Sequence, residues 1–599
     1  MQAIILAAGM GNRLGKYTQN NTKCMLEING KKLIHRALHA LETNGIQKCI
    51  LVVGYQKQNV IDLIGSQFGK MKIEYISNDV YDKTNNIYSL YLAKDNLLED
   101  DTLLLESDLI FEDRIISDLL QNKEPSLAVV AKHEAWMDGT VVQIDSENVI
   151  TQFVPKKIFN YKDIDSYYKT VNIYKFSKEY LRDSYVPFLE AYSKAMGNNE
   201  YYEQVLRVVT TLEKNELKAL CLSDHKWYEI DDVQDKDIAE VLFEDNPDIK
   251  LNRMEKRYGG YWRFNGMKDF CYLVNPYFPN SAMLNEMEHN FYDLLSQYPS
   301  GLNVQNLLAG KMFSVDEKHI LVGNGAAELI RSLDSVLKGS VGIVYPSFNE
   351  YHESLPSHEI ISFYPKDISY TIDDLLKWST ECNTLLLINP DNPSGNFIPA
   401  KDVLRLLDTM KENNKTLVLD ESFIDFCSYG KEASVFTQEV LDTYKNLIII
   451  KSISKSYGVP GIRLGVLACS NPDVIIQVRK KLSIWNINSF GEFFLQIIGK
   501  YKKDYETACK KIISERERFY SLLTKTGILK VYNSQANYFL CKITTSISAR
   551  ELTKKLLNEK NLFMKDLTGK KGIEGSQYIR VAVRNSEDND SFIEAIQTI

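Results

Sequence analysis

The 599-residue chain is too long for one hydrophobic core, which predicts at least two domains. Its apolar (44%) and charged (25%) fractions are those of an ordinary globular protein. A net charge of −8 without any dense Lys/Arg block argues against a general nucleic-acid binder, yet it leaves room for small anionic ligands. Nine dispersed cysteines without a CxxC pair suit a reducing cytoplasm. No run approaches the ~20 apolar residues of a membrane helix, and the opening AIILAA lacks the basic flank of a signal peptide. The expectation is a cytoplasmic protein acting on small molecules, with neither nucleic acid nor membrane as partner.

In chain order, AIILAAG predicts a strand, KKLIHRALHALETNG a helix, KCILVVG a strand and QNVIDLIGSQF a helix. KIEYIS and DTLLLESD predict further strands. Such alternation implies an α/β fold with a mostly parallel sheet covered on both faces. His35 and His39 fit an ordinary amphipathic helix with Ile34, Ala37, Leu38 and Leu41 inward, rather than a metal site. FEDNPDIKLNRMEKRYGG is polar, broken by proline and closed by glycines. It predicts a linker over 244–260 between domains 1–243 and 261–599. Beyond it, HILVGNG, SVGIVYPSF, NTLLLINP, KTLVLDES and NLIIIKS predict a second α/β domain.

The first strand runs into LAAGMGNRLG, where Gly9, Gly11, Asn12 and Arg13 form a turn able to present amides to an anion. Arg13 and Lys23 add charge for a triphosphate. Asp108 ends the apolar run LLLESD, and Asp231 lies in WYEIDD. Two aspartates plus substrate phosphates suffice for Mg²⁺, so the set predicts metal-assisted nucleotidyl transfer.

LAAGMGNRL, TKCMLEINGKKLI, VVGYQ, NNIYSLY and YEIDDVQD together resemble the small nucleotidyltransferases over residues 1–240. The nearest in pattern are the phosphocholine cytidylyltransferases and their 2-aminoethylphosphonate-using relatives. The resemblance implies a Rossmann-like (GT-A-like) domain. In it Leu6, Ala8, Gly9, Gly11, Asn12, Asn86 and Ser89 lie near the nucleotide. Arg13 and Lys23 hold the triphosphate, and Asp108 and Asp231 bind Mg²⁺. Where the family has proline before the lysine, this chain has Thr22. The acceptor's cationic head would fall to Trp136, Tyr201, Tyr202 and Glu203, by cation–π and charged hydrogen bonding.

In KSISKSYGVPGIRLG, Lys455 is a candidate nucleophilic amine, with Ser452 and Arg463 suited to grip a phosphate. VGNGAAELI offers the amides of Ala326 and Ala327 at a helix start, INPDNPSG offers Asn392, and LVLDESF offers Asp420 to a pyridine nitrogen. This order resembles the fold-type I pyridoxal-phosphate enzymes of the class I/II aminotransferase group over 260–599. Within that group it points to the histidinol-phosphate aminotransferase and threonine-phosphate decarboxylase branch. The resemblance implies that Phe348 stacks on the cofactor ring, Asn392 bonds its phenolic oxygen, Asp420 pairs with its nitrogen and Arg580 clamps a substrate carboxylate. It also implies that Tyr298 reaches the cofactor phosphate of a neighbouring subunit, hence a homodimer. Phe423 stands where many aminotransferases carry tyrosine, as in the decarboxylase branch.

The whole chain thus resembles bifunctional 2-aminoethylphosphonate cytidylyltransferase/aminotransferase fusions. The implied reactions are transamination of phosphonoacetaldehyde by an amino-acid donor, then transfer of CMP from CTP to the resulting 2-aminoethylphosphonate. The competing expectation is a phosphocholine or phosphoethanolamine cytidylyltransferase joined to a phosphoserine- or threonine-phosphate-type decarboxylase.

Overall fold

The computed structural model describes residues 1–134, 137–212 and 216–599. The chain divides into two compact units, Met1–Asn265 and Gly266–Ile599. The stretch expected as a linker is mostly helical: Pro247–Arg257 starts on an Asn246 cap with proline in its first turn, and it buries Leu251 and Met254. Its polar composition reflects one exposed helical face.

In the first unit the described residues form a ten-stranded sheet. Its main path is Ile150–Val154, Val141–Ile144, Tyr168–Phe176, Thr102–Glu106, Gln2–Ala7, Lys48–Val53, Met71–Ser77 and Gln67–Phe68. Gln2–Ala7 runs parallel to both Thr102–Glu106 and Lys48–Val53, and all six of its residues are buried, as expected of a strand covered on both faces. Helix Leu33–Thr43 buries Leu33, Ile34, Ala37, Leu38, Ala40 and Leu41. Each large side chain contributes roughly 1.5–3 kcal/mol by leaving water. The helix expected across QNVIDLIGSQF stops at Ile64, because Gly65 adopts positive φ and Gln67–Phe68 turns back as an edge strand on Met71–Ser77.

The second unit holds a seven-stranded sheet. Its order is Ile320–Asn324, Leu464–Ala468, Leu447–Ser452, Thr416–Asp420, Thr384–Ile388, Val341–Val344 and Ile360–Phe363. The last five strands are mutually parallel, whereas Leu464–Ala468 is antiparallel to both its neighbours. A smaller four-stranded antiparallel sheet carries Tyr578–Ala582, and with it Arg580. Among the described residues no helix is long and apolar enough to cross a membrane.

Candidate active sites

In the first unit a cavity of about 810 Å³ opens at the carboxyl end of the first strand. This is where ligands bind in open α/β sheets. Leu6, Ala8, Gly9, Gly11, Asn12, Arg13, Lys23, Asn86, Ser89, Asp108, Tyr201, Glu203 and Asp231, all expected from sequence, line it. Gly11 is needed where it stands: its φ is +68°, and a Cβ there would sit 3.2 Å from that of Lys23.

Asp108 and Asp231, 123 positions apart, are joined by a short antiparallel pairing of Leu109–Phe111 with Trp227–Glu229, and the Ile230 amide donates to the Asp108 carbonyl at 3.0 Å. A capping box of Asp232 and Asp235 starts the next helix, and the Asp235 carboxylate accepts from the Asp231 amide at 3.0 Å. Between the two acids lies the Lys23 ammonium, 2.5 Å from Asp108 Oδ2 and 2.8 Å from Asp231 Oδ1, while Arg13 reaches Asp231 at 2.7 Å. Burial would lower the Lys23 pKa, but Asp108 and Asp231 outweigh it and hold the ammonium above its ordinary value. The same cations and burial act on Asp231, whose carboxyl ends below its ordinary range.

Oxygens of Asp108, Glu229 and Asp231 lie within 4.8 Å of one another, and Asp108 Oδ1 is buried without a hydrogen-bond partner. Hard carboxylate oxygens so close together, one lacking a donor, fit Mg²⁺. A divalent ion held there would offset charge on the reacting phosphate.

The neighbouring part of the cavity is acidic in a way the motifs did not announce. Glu106, Glu203 and Glu229 all line it. Burial, the first cause in each case, raises all three carboxyls: Glu106 well above its ordinary value, Glu203 to about 7, and Glu229 upward. Neighbouring acids add to the rise in each. Lys169, nearly inaccessible, pairs with Glu229 at 2.8 Å. Glu203 Oε1 receives a long 3.4 Å bond from Thr140, and Oε2 is buried without a partner. Glu106 and Glu229 precede the two aspartates by two residues each, so strand alternation was the signal that could have found them.

One expected contact differs. Tyr202 is fully buried in the aromatic core, its ring 5.9 Å from that of Tyr174, because the helix Glu203–Val209 turns it inward. Asn86 spends its amide on Glu106 Oε1 (2.9 Å) and the Tyr202 amide (3.0 Å), so it orders the acid pocket. Ser89 is buried and accepts from Asn78 at 3.2 Å. Trp136 lies outside the described residues.

In the second unit Lys455 lies in the short helix Ile453–Ser456 that follows the strand Leu447–Ser452. Its Nζ is 4.3 Å from the Phe423 ring centroid and 5.3 Å from that of Phe348. Burial lowers the ammonium's pKa to about 8; Asp420 opposes the shift, and the charges of Arg580 and Arg463 add to it. The amine therefore gives up its proton far more readily than an exposed lysine, as a nucleophile requires. Asp420, at the end of its strand, accepts from the Ser422 amide (2.8 Å) and from the hydroxyl of buried Tyr351 (2.7 Å). Tyr351 was not foreseen from sequence. Arg580 Nη1 donates to Asn392 at 2.8 Å and Nη2 to the Cys271 carbonyl at 2.8 Å; its Nε is buried without a partner.

The phosphate end of this site answers why glycines follow the lysine. Gly465 packs so closely that a Cβ would lie 2.4 Å from the Ala326 amide nitrogen. That strand thereby brings Arg463 onto the start of helix Gly325–Ser332, whose first-turn amides include those of Ala326 and Ala327. A Cβ on Gly325 would strike the Arg463 guanidinium at 2.5 Å. Helix-start amides, a guanidinium and buried Ser452 suit a phosphate, and Asp420 suits a pyridinium, so the residues fit pyridoxal phosphate. That cofactor, when bound, supplies an electron-withdrawing ring that stabilises negative charge at a substrate α-carbon. Tyr298 is 78% exposed and stacks on Trp485 at 4.4 Å between ring centroids.

Comparison with known proteins bears on both units. The model of the MobA-like NTP transferase domain matches residues 3–194, and that of aminotransferase class I and II matches 281–596. The chain is 29% identical to a CMP-5'-(3-aminopropyl)phosphonate synthase of Streptomyces rubellomurinus, over 100% of this chain and 95% of that protein. It is 30% identical to an L-serine phosphate decarboxylase of Sulfurospirillum multivorans, over 55% of this chain and 88% of that protein. A solved histidinol-phosphate aminotransferase from Clostridium acetobutylicum aligns with a TM-score of 0.51 at 25% identity, covering 55% of this chain and 98% of its own. The protein is a bifunctional enzyme that joins an NTP transferase domain to a fold-type I pyridoxal-phosphate domain, and by the second of these the chain belongs to the class I and II aminotransferase family.

Proposed function

We infer that the chain makes a small aminoalkylphosphonate at Lys455 and joins it to CMP at the Lys23 site, 2-aminoethylphosphonate being the simplest such compound. The observation that carries this is the acid pocket beside the nucleotide loop. Three carboxyls line it, that of Glu203 buried and those of Glu106 and Glu229 partly so; Lys169 pairs with Glu229, and Glu203 Oε2 lacks a donor. A primary ammonium supplies both the charge and the N–H; a quaternary ammonium supplies charge alone. The full-length relation to a protein named as a synthase of a CMP-aminoalkylphosphonate supports the same class of acceptor.

In the transfer step an acceptor phosphonate oxygen attacks the α-phosphorus of CTP and pyrophosphate leaves. Arg13 and Lys23 offset the charge that builds on the phosphates, and Asp108 and Asp231 hold Mg²⁺. At the other site Lys455 would move the proton at the substrate α-carbon, Arg580 would hold the carboxylate, and Asp420, oriented by Tyr351, would pair with the cofactor nitrogen. The reaction is transamination of phosphonoacetaldehyde, with an amino acid giving up its amine and leaving as the oxo acid.

A second reading of that site rests on Phe423, whose ring lies 4.3 Å from the Lys455 amine and brings no hydroxyl. Together with the relation to an L-serine phosphate decarboxylase, it favours loss of CO₂ from an amino acid bearing a terminal phosphonate or phosphate, which gives the aminoalkyl product directly. A homodimer is also part of the proposal. Exposed Tyr292, Leu295, Tyr298 and Ile484 form an apolar set suited to a second subunit.

Two measurements test the two reactions. Purified protein with CTP and Mg²⁺ should release pyrophosphate only when an aminoalkylphosphonate is present. Equal release without acceptor, or with phosphocholine, refutes the acceptor class. Oxo-acid formation from phosphonoacetaldehyde plus amino acids, against CO₂ release, decides the pyridoxal reaction.

A further inference from the structure

Both contacts of the Lys23 ammonium are made to the carboxylates suited to Mg²⁺. Lys23, Asp108 and Asp231 are only 14%, 13% and 20% exposed, so water screens these pairs weakly. With Arg13 on Asp231, two cations and two anions neutralise one another. The base of Lys23 is fixed, since the Gly11 loop packs against it and its residue opens the short helix Lys23–Met25. Its four-carbon stem leaves the ammonium free to move.

We propose that Lys23 is an intramolecular competitor of the divalent ion: both draw on the carboxylates of Asp108 and Asp231, so metal entry releases Lys23 and Arg13 to the triphosphate. The inference rests on the nucleotidyltransferase reading above. Metal alone meets acids already paired, and triphosphate alone meets cations already paired. Each ligand therefore promotes the other, by the same factor in both directions. Glu229 stands apart from this exchange, because its partner is Lys169.

The test is direct binding to the full chain. Mn²⁺ titrated into nucleotide-free protein, followed by electron paramagnetic resonance, should bind Lys23→Met more tightly than wild type by about 5- to 150-fold, the usual span of such couplings. Lys156→Met removes an equal charge from the same cavity and should gain little. Reciprocally, with EDTA present, inorganic tripolyphosphate should bind Asp108→Asn more tightly than wild type, and Glu229→Gln should gain much less. Far-ultraviolet circular dichroism and the visible absorption of bound pyridoxal phosphate report that each variant is folded.

Lys23→Met binding Mn²⁺ no more tightly than Lys156→Met overturns the proposal. So does Asp108→Asn gaining no more for tripolyphosphate than Glu229→Gln. If either outcome accompanies normal acceptor-dependent pyrophosphate release by wild type, competition alone fails. If wild type neither binds Mn²⁺ with CTP nor releases pyrophosphate, the nucleotidyltransferase reading fails with it.

Discussion

Replacing Glu203 with Gln isolates the amine-recognition argument. The side chain is buried, one oxygen receives only a 3.4 Å bond from Thr140, and the other has no partner. A charge-assisted hydrogen bond from a substrate ammonium is worth about 1.5–3 kcal/mol, so Glu203→Gln should raise the KM for 2-aminoethylphosphonate by roughly 12- to 150-fold. The lower half of that range is expected, because Glu203 helps to suppress ionisation of Glu106, which can then compensate. The KM for CTP should stay within about twofold, since the triphosphate charges are Arg13 and Lys23.

The pH dependence supplies a second signature. With Glu203 raised to about 7 by burial, the wild-type KM for the amine should fall as pH rises through about 7, and the variant should show a smaller change. Stability moves the other way. A carboxyl whose folded pKa exceeds its unfolded value penalises the folded state only as pH climbs from 4.5 to about 7. The full penalty is of order 3 kcal/mol. Glu203→Gln should therefore raise Tm at pH 8 and leave it unchanged at pH 4. Pyrophosphate release at varied pH and differential scanning calorimetry provide both readouts. A KM shift shared equally by CTP, or none for the amine, refutes the reasoning.

Lys455→Ala should abolish the visible absorption of bound pyridoxal phosphate while acceptor-dependent pyrophosphate release continues, since the two chemistries use separate residues. Reloading of the cofactor-free protein should quicken as pH rises through about 8, where the buried Lys455 amine loses its proton; a rate flat from pH 6.5 to 9 contradicts this. Arg580→Lys gives up one arm of the fork that spans Asn392 and Cys271, and should raise the KM for the amino-acid substrate by about tenfold or more in steady-state assays. Tyr298→Ala should speed loss of pyridoxal phosphate on dialysis only if the protein is dimeric in sedimentation analysis.

Much of the architecture was legible in local pattern. Apolar runs such as AIILAA and TLLLI, short and next to glycine or proline turns, fit strands buried on both faces, and IHRALHAL has the helical period, because side-chain burial repeats with backbone geometry. The glycine loop, Lys23, the aspartates at 108 and 231, and the set of Asn392, Asp420, Lys455 and Arg463 were readable because special backbone and charged groups at strand ends have few structural uses. The 244–260 stretch, expected as a linker, holds the helix Pro247–Arg257, since polarity marks an exposed helical face as readily as a linker.

What the sequence could not settle was how distant residues meet. That the Lys23 amine lies between Asp108 and Asp231 depends on a strand pairing across more than a hundred residues. That Glu106, Glu203 and Glu229 share one pocket, that Lys169 pairs with Glu229, and that Tyr351 holds Asp420, likewise follow only once the sheets are assembled. Charge interaction and desolvation depend on distance and burial in space, and neither is encoded in spacing along the chain.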